Sequence, residues 1–380
     1  MFEAPANTVV DHFSTLTDPR VERRKLHKLI DITTIAICGA VCGADDWVAV
    51  AGFGRAKEQW LRTFLELPNG IPSHDTFTDV FAALDPEEFQ VCFRNWIKGV
   101  AEITEGEIVA IDGKTLRRSH DKTSGKSAIH MVSAWANSNR LVLGQVKVDD
   151  KSNEITAIPQ LLKVLDLKGS TVTIDAMGCQ TKIAEMIIDQ EADYVLPVKK
   201  NQPRLHGDIS AIFAQLETDN VIDMPYDTHQ TINKGHGRIE IRTCWTIASA
   251  HFQDHLRTFT AWKGLNTIAM VRRERRLADK IEVETGYYIA SIESDAAQVL
   301  DATRSHWGVE NKLHWVLDIA FREDESRTRK GNGAQNFATL RHIALNLLSR
   351  EKTAKCGIKN KRLKAGWDEA YLLKVLSCMG

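Results

Sequence analysis

The feature that most constrains the fold is the order of apolar segments between residues 107 and 198 of the 380-residue chain. Three strand-like runs are followed in turn by a helical segment, a strand, a second helical segment and a last strand. In chain order these segments are 107–111, 129–136, 141–148, 155–167, 171–174, 180–190 and 193–198. A hairpin meander that leads into parallel crossovers predicts an α/β domain, in which a mixed sheet has helices on its flanks.

Two of the strand segments end directly before an aspartate. Asp112 follows the segment 107–111, and Asp175 follows the segment 171–174. Ligands of open α/β sheets bind outside the carboxyl ends of the strands, so both acids are candidates for a functional site. Carboxylates suit Mg²⁺ or Mn²⁺, and two such ions close together can activate water for attack on a phosphodiester. From position alone, an acid that caps the following loop is an equal alternative.

The chain outside this core is predicted to fold as helices and a second group of strands. Upstream, Ser73 and Asp85 each precede a segment of helical periodicity, and Pro86 stands at a first helical position. Downstream, strand-like runs with a turn at 234–237 interrupt the α/β pattern before long helices return. The expected parts are a helical N-terminal domain at 1–100, an α/β domain at 105–350 with a β-rich insertion at about 205–292, long helices at 295–321 and 334–349, and a basic C-terminal tail at 351–380.

A third acid, Glu310, lies in the middle of the helix predicted over 295–321. His306 and His314 are four residues away on either side, so the three side chains share one helical face. This arrangement permits a metal site in which both histidines are ligands beside the carboxylate. Partly buried histidines with ordinary hydrogen-bond partners are the alternative interpretation.

Composition excludes several classes of protein. The chain has 49 Lys and Arg against 50 Asp and Glu, so it is not polybasic, although basic residues can still be segregated onto one face. The longest apolar run, 32–44, is shorter than the roughly 20 residues of a membrane-spanning helix, and the first residues lack a secretory h-region. Seven scattered cysteines without a CxxC pair are typical of a reduced, cytoplasmic protein.

Basic residues form local clusters beside the acid-bearing segments. These clusters are 20–28, 272–276 and 350–364, together with Lys114, Arg117 and Arg118 directly after the first aspartate. A solvated charged face explains any single cluster. Their recurrence favours a polyanionic substrate, because each phosphate that a basic side chain neutralises adds salt-dependent affinity.

Six segments carry a resemblance to a known family. They are AIDGKTLRRS (110–119), KSNEITAIPQLL (151–162), TIDAMGCQ (173–180), DYVLPVKKNQPRL (193–205), KGHGRIEIRT (234–243) and RSHWGVENKLHWVLDIAFREDESRTR (304–329). With these blocks the chain resembles the H-repeat-associated insertion-sequence transposases from about residue 8 to residue 350. That family belongs to the DDE recombinases, whose catalytic domain is ribonuclease-H-like, and the strand order predicted above is the order of that fold.

The resemblance implies a DDE transposase that cleaves double-stranded DNA at element ends and transfers the freed strand to target DNA. It implies that Asp112, Asp175 and Glu310 are the catalytic and metal-binding residues, and that they hold Mg²⁺ or Mn²⁺, with two ions expected. The accompanying expectations are a homodimer on DNA, a place in the bacterial cytoplasm with the nucleoid, and no membrane partner. The residues expected to line the DNA surface are Lys114, Arg117, Arg118, Lys199, Lys200, His236 and Arg238.

One position departs from the pattern of related insertion-sequence enzymes, and two other functions stay open. Those enzymes carry a lysine two helical turns after the glutamate, where this chain has Leu317, with Lys312 nearer. The first alternative is a metal-dependent nuclease on the same fold that lacks strand transfer. The second is a catalytically silent DNA-binding relic of a transposase, which the near-neutral net charge favours and the intact set of three acids disfavours.

Overall fold

The structure is a computed structural model that describes residues 9–101, 105–120, 127–149, 152–219, 224–235, 237–277 and 279–377. The strands are β1 (Ile108–Leu116), β2 (Ile129–Ala136), β3 (Leu141–Lys147), β4 (Thr171–Ile174), β5 (Asp193–Val198), β6 (Asp227–Gly235), β7 (Arg238–Ala248), β8 (Thr267–Arg276) and β9 (Ile281–Ala290). Within the described residues these strands form one mixed sheet in the order β3-β2-β1-β4-β5-β9-β8-β7-β6.

Helices cover the sheet and form the N-terminal part of the chain. They are α1 (Leu29–Val41), α2 (Trp47–Ala56), α3 (Glu58–Leu61), α4 (His74–Ala83), α5 (Pro86–Val100), α6 (Glu154–Val164), α7 (Thr181–Asp189), α8 (Pro203–Asp219), α9 (Ser249–Phe252), α10 (Ala296–His306), α11 (Trp315–Phe321), α12 (Gly333–Arg350), α13 (Ile358–Trp367) and α14 (Glu369–Leu376). None of the helices described here combines the length and hydropathy that crossing a bilayer requires.

The first five strands confirm the predicted fold class. β1, β2 and β3 are an antiparallel meander, and β4 and β5 then add to the other side of β1 as parallel strands. α6 connects β3 to β4, and α7 connects β4 to β5. The sheet therefore has the ribonuclease-H-like arrangement, with the carboxyl ends of β1, β4 and β5 along one edge.

The strands predicted for the insertion continue this sheet. β9 pairs antiparallel with β5, and its register places Tyr287 opposite Val198, so the residues of β9 before Tyr287 extend past the end of β5. β8, β7 and β6 then extend the sheet beyond β9, and each strand pairs antiparallel with its neighbour. The outer ends of these four strands, residues 231–235, 237–243, 271–277 and 279–286, are called the wing below. The wing rises on the side of the sheet where β1, β4 and β5 end.

Local sequence signals determine the N-terminal helices as predicted. Ser73 Oγ accepts a hydrogen bond from the Thr76 N–H at the start of α4, and Asp85 Oδ1 accepts one from the Glu87 N–H at the start of α5. The apolar residues of α5 are buried on its inner face. Their burial joins a hydrophobic core that runs without a break from the N-terminal helices to the sheet.

The C-terminal helices attach this N-terminal part to the sheet. Asn346 of α12 is fully buried, and its amide both accepts from the Val142 N–H and donates to the Val142 C=O, each at 2.9 Å. One buried side chain thereby satisfies both backbone groups of Val142 on the open edge of β3. Residues 351–377, expected as a basic tail, contain α13 and α14, and their Lys361 and Arg362 are buried against α1, α11 and α12.

Two predicted element boundaries are wrong. β1 does not end at Asp112 but continues to Leu116, because the residues after Asp112 still pair with β2. The continuous helix predicted over 295–321 ends first at His306, and a π-helical turn, Glu310–His314, precedes α11. A π-helical turn inserts extra backbone into the helix and changes which residues share a face.

Candidate active site

Asp112 and Asp175 lie side by side where two parallel strands diverge. The last paired residues of β1 and β4 are Ile111 and Ile174, and the two aspartates follow them directly. Asp112 Oδ1 accepts a hydrogen bond from the Gly113 N–H at 2.9 Å, and Asp175 Oδ1 accepts one from the Gly178 N–H at 3.1 Å. Asp175 therefore also caps a short 3₁₀ turn, so the capping role left open by the sequence is present as well.

The π-helical turn brings Glu310 to the same place. Its Oε2 is 3.1 Å from Nδ1 of His314, and that nitrogen is 3.6 Å from Oδ2 of Asp112. One ligand atom from each of these three residues lies within 4.8 Å of the others. Asp175 is not part of this close group, but it lines the same cavity of about 930 Å³ together with Asp112 and Glu310. Glu310 is exposed to this cavity, whereas His314 is buried.

Crowded carboxylates in a partly buried setting fit a divalent cation. Burial raises the pKa of Asp112 to about 6, and the neighbouring carboxylates of Glu154 and Asp175 add to this increase, while His314 and the Gly113 N–H oppose it. Burial likewise raises the pKa of Asp175, again with a contribution from Glu154. Oxygen ligands whose negative charges repel one another gain most from a bound cation, so the donor set suits Mg²⁺ or Mn²⁺.

The two histidines of the predicted stripe have different surroundings. His306 Nδ1 is 3.2 Å from Oγ1 of Thr173 on β4, and burial lowers its pKa to about 4. His314 instead faces Glu310 and Asp112. Only His314 belongs to the close group of ligand atoms, whereas His306 lines the same cavity and has the ordinary hydrogen-bond partner that the alternative interpretation described.

Sequence reasoning did not single out Glu154 and His130. Oε1 of Glu154 is 2.6 Å from Nε2 of His130, and this pair covers Gly113 in β1. A Cβ at residue 113 would lie 2.2 Å from Glu154 Oε1 and 2.5 Å from His130 Nε2, so a larger residue beside Asp112 would displace the ends of both side chains. The available signal was weak, because Glu154 follows the capping residue Asn153 and has the position of an ordinary acid in the first turn of α6.

The predicted basic residues other than Lys114 occupy three regions of the described structure. Lys199 and Lys200 are exposed and line the acidic cavity, after the end of β5. Arg117 is 77% exposed and pairs with Asp324, and Arg118 is exposed beside it. Arg238 lies at the tip of the wing, where its Nε is 2.7 Å from Oε1 of Glu240. His236 lies outside the described residues.

Lys114 has a different environment from the one expected for a DNA contact. Its side chain is only 12% exposed, and its Nζ is 2.5 Å from Oδ1 of Asp318 and 3.3 Å from Oε2 of the buried Glu323. Its Nζ also donates to the His314 C=O at 3.2 Å. These contacts assign Lys114 to an internal ion pair between β1 and α11.

The wing also contributes residues to the cavity. The only sequence signal for them was the basic cluster 272–276. Arg273 lines the cavity, with its Nη2 donating to the Tyr288 hydroxyl at 2.6 Å and its Nη1 3.6 Å from Oε2 of Glu284. Trp307, just before the π-helical turn, also borders the cavity and is 60% exposed. Lys312 points to a neighbouring groove, where it donates to Asn137 Oδ1 at 2.9 Å.

Comparison with known proteins gives concordant matches. A family model described as "Transposase DDE domain" matches residues 103–347, and one described as "DDE_Tnp_1-associated" matches residues 10–97. The H repeat-associated putative transposase YhhI of Escherichia coli strain K12 is 40% identical over 377 residues, which is 98% of each chain. The putative transposase YncI of Escherichia coli O157:H7 is 41% identical over 97% of this chain and 94% of its own.

A solved structure is similar at a lower level. The synaptic complex of piggyBac transposase with hairpin DNA aligns with a TM-score of 0.43 and 12% sequence identity. The alignment covers 95% of this chain and 74% of that chain.

Proposed function

The chain belongs to the family of transposases with a DDE domain, and we propose that it cuts DNA at the ends of an insertion-sequence-like element and joins the freed ends to target DNA. The observation that carries this proposal is the convergence of three acids from distant segments in one cavity. Asp112 and Asp175 come from neighbouring parallel strands, and Glu310 comes from the π-helical turn above them.

The acids would hold two divalent cations, Mg²⁺ or Mn²⁺. When bound, such ions supply Lewis-acid activation of the attacking oxygen and neutralise charge on the phosphate. Asp112, Asp175 and Glu310 line the same cavity and are the residues that would hold the ions. Asp175 is held in place by its cap to Gly178, and Glu310 is exposed to the cavity where a phosphodiester could enter.

The proposed reaction has two steps that use the same cavity. Water adds to the phosphorus at an element end, and the bond to the 3′ oxygen breaks, which leaves a 3′-hydroxyl. That hydroxyl then attacks a phosphodiester of target DNA and releases a 3′-hydroxyl of the target. Neither step needs a covalent bond between protein and DNA, so no serine or tyrosine nucleophile is required.

Basic side chains around the cavity suit the backbone of double-stranded DNA. Lys199 and Lys200 are exposed at its rim, and Arg273 faces it from the wing. Phosphate contacts of this kind fix the position of a duplex without reading its sequence. Because an element has two ends and each must reach a cavity, we propose that the protein acts on DNA as a homodimer.

Cleavage of a labelled element-end duplex tests the proposal. Asp112→Asn, Asp175→Asn and Glu310→Gln should each reduce cleavage in Mg²⁺ by about a hundredfold or more, because several kcal/mol of charge stabilisation is lost. Binding of the duplex should persist, since a negative charge near the phosphates is removed. The matched control is Asp79→Asn, at an exposed carboxylate paired with Lys330, which should cleave normally.

The products separate the proposed function from its alternatives. Cleavage together with joining of the 3′ end to a supercoiled target supports the transposase. Cleavage without joining identifies a nuclease. If the unaltered protein binds its own element ends but does not cut them in Mg²⁺ or Mn²⁺, the proposal fails and a DNA-binding relic remains.

A further inference from the structure

The closest group of potential metal ligands in the described residues includes a nitrogen. Asp112, Glu310 and His314 each contribute one ligand atom, and these atoms all lie within 4.8 Å of one another. Asp175 is absent from this group although it borders the same cavity. Three potential ligands, one of them an imidazole, therefore lie close together, and Asp175 is a fourth and more distant one.

The spacing of the donor atoms fits neighbouring positions around one cation. Adjacent ligands of an octahedral ion with bonds of about 2.1 Å are about 3 Å apart. His314 Nδ1 is 3.1 Å from Oε2 of Glu310 and 3.6 Å from Oδ2 of Asp112.

The surroundings of His314 leave Nδ1 directed at this point. The ring is buried, and its backbone carbonyl accepts from Lys114, so the π-helical turn is anchored from below. In the part of the chain that the structure describes, the other ring nitrogen, Nε2, is buried without a hydrogen-bond partner. The side-chain contacts of the ring with potential ligands are therefore those of Nδ1 with Glu310 and Asp112.

Two other potential ligands nearby, His306 and Glu154, have partners outside the close group. His306 contacts Thr173 through Nδ1. Glu154 pairs with His130 at 2.6 Å. Neither residue belongs to the close group, so His314 is the nitrogen donor that the geometry selects.

We propose that His314 is a metal ligand, and that Asp112, Glu310 and His314 together form one mixed nitrogen and oxygen site, while Asp175 would serve a second ion. The proposal rests on the proposed function for its two-ion arrangement, and it adds a ligand that the three acids alone do not provide. An imidazole nitrogen favours first-row transition ions over Mg²⁺ and Ca²⁺. The His314 site should therefore prefer Mn²⁺ to Mg²⁺.

Pulsed electron paramagnetic resonance of Mn²⁺ bound to the full-length protein tests the ligand directly. Imidazole coordination gives a ¹⁴N modulation of the Mn²⁺ echo, which oxygen ligands do not give. The unaltered protein should show this modulation. His314→Gln should lose it, and its affinity for Mn²⁺ should be at least about tenfold weaker. Replacement of both His306 and the exposed His74 by Gln should leave the ¹⁴N modulation in place.

Two further measurements sharpen the assignment. Asp175→Asn should lower the number of bound Mn²⁺ ions from two to one while the ¹⁴N modulation remains. The ratio of Mn²⁺ to Mg²⁺ affinity should fall in His314→Gln, because an amide oxygen then replaces the nitrogen. Circular dichroism at increasing temperature verifies that His314→Gln is folded, and the spectrum of the unaltered protein needs no variant at all.

The outcomes are distinct from those of the proposed function. Mn²⁺ bound without a ¹⁴N modulation overturns the ligand role and leaves His314 as a hydrogen-bond donor to the acids, whatever the cleavage assay gives. Absence of Mn²⁺ binding at millimolar concentration overturns it as well. A ¹⁴N modulation in a protein that does not cut DNA supports the ligand and contradicts the transposase activity.

Discussion

Lys114 Nζ lies 2.5 Å from Oδ1 of Asp318, and this contact joins β1 to α11 directly behind the acidic cavity. The same ammonium group is 3.3 Å from Oε2 of Glu323, whose other oxygen is 3.5 Å from Nη1 of the buried Arg341. A lysine two residues after Asp112 therefore belongs to an internal network of charges. Its role follows from these partners and not from its place in a basic segment.

Lys114→Met should destabilise the protein strongly. The variant leaves the buried carboxylate of Glu323 and the half-buried carboxylate of Asp318 without this cation, and breaking a buried ion pair costs about 3–5 kcal/mol. Urea denaturation followed by circular dichroism measures the change in the free energy of unfolding. A loss below about 1 kcal/mol would contradict the internal role.

Arg117→Ala is the matched control, three residues further along the chain. Its side chain is 77% exposed, so the free energy of unfolding should change by less than about 0.5 kcal/mol. If Arg117 contacts a phosphate, the slope of log affinity against log salt concentration should decrease in magnitude by about one in the variant. An unchanged salt slope in filter binding would remove Arg117 from the DNA surface.

Gly113→Ala should disturb the region beside Asp112. The added Cβ would overlap with Glu154 and His130, which must then move, at a cost of about 1–3 kcal/mol. Gly52→Ala is the control, because Gly52 lies in α2 with no atom within 4 Å of an added Cβ, and alanine should stabilise a helix there by up to about 1 kcal/mol. Thermal unfolding of both variants measures the two opposite shifts, and equal shifts would contradict the close approach.

His342 should make the protein sensitive to acid. Burial, together with the charges of His314, Lys114 and Arg341, lowers the pKa of His342 to about 3. The folded protein keeps this ring neutral, whereas the unfolded chain protonates it below about pH 6.5. The contribution of the neutral His342 ring to the free energy of unfolding is therefore complete above pH 6.5. This contribution is lost as the pH falls toward 3, by up to about 1.4 kcal/mol per pH unit.

Urea denaturation of His342→Leu between pH 7 and pH 4 measures this contribution. The free energy of unfolding of the variant should depend less steeply on pH, by the equivalent of about one bound proton. His74→Leu, at a histidine whose side chain is 53% exposed, should keep the slope of the unaltered protein. Identical slopes for His342→Leu and the unaltered protein would contradict the buried neutral state.

Asn346→Leu should open the edge of β3. The variant leaves the Val142 N–H and C=O buried without the partner that Asn346 provides, which costs about 2–4 kcal/mol. Hydrogen exchange of the Val142 amide should accelerate more than that of residues in the centre of the sheet. Asn311→Ala, at an exposed asparagine, should change stability by less than about 0.5 kcal/mol.

Local sequence signals were sufficient for the order of the core strands and for two site positions. The segments 107–111 and 171–174 predicted parallel neighbours, and the structure pairs Ile111 with Ile174. Asp112 and Asp175 are adjacent because parallel strands that end at the same level bring their next residues together. The caps at Ser73 and Asp85 follow equally from residues within one helical turn.

The position of Glu310 could be predicted only from the family resemblance. Regular helical spacing placed His306 and His314 on the same face as Glu310, but the π-helical turn begins at Glu310 and separates them. Whether a helix contains a π-helical turn depends on how the helix packs, here against β1 and β4. No distinct periodicity of the residues marks such a turn. The contact between His314 and Asp112 therefore did not follow from the spacing of the stripe.

Local sequence patterns were enough to predict the succession of the core strands along the chain, the helix caps and the place of the two aspartates, because each depends on residues close together in the chain or on the period of a strand or helix. Three other contacts follow only from how the chain packs: Lys114 pairs with Asp318, Glu154 and His130 enclose Gly113, and Asn346 bonds Val142 at the edge of β3. These partners are 24 to 204 residues apart in the chain. Charge and hydrogen-bond contacts over such separations depend on which faces pack together, and no local pattern of residues encodes that choice.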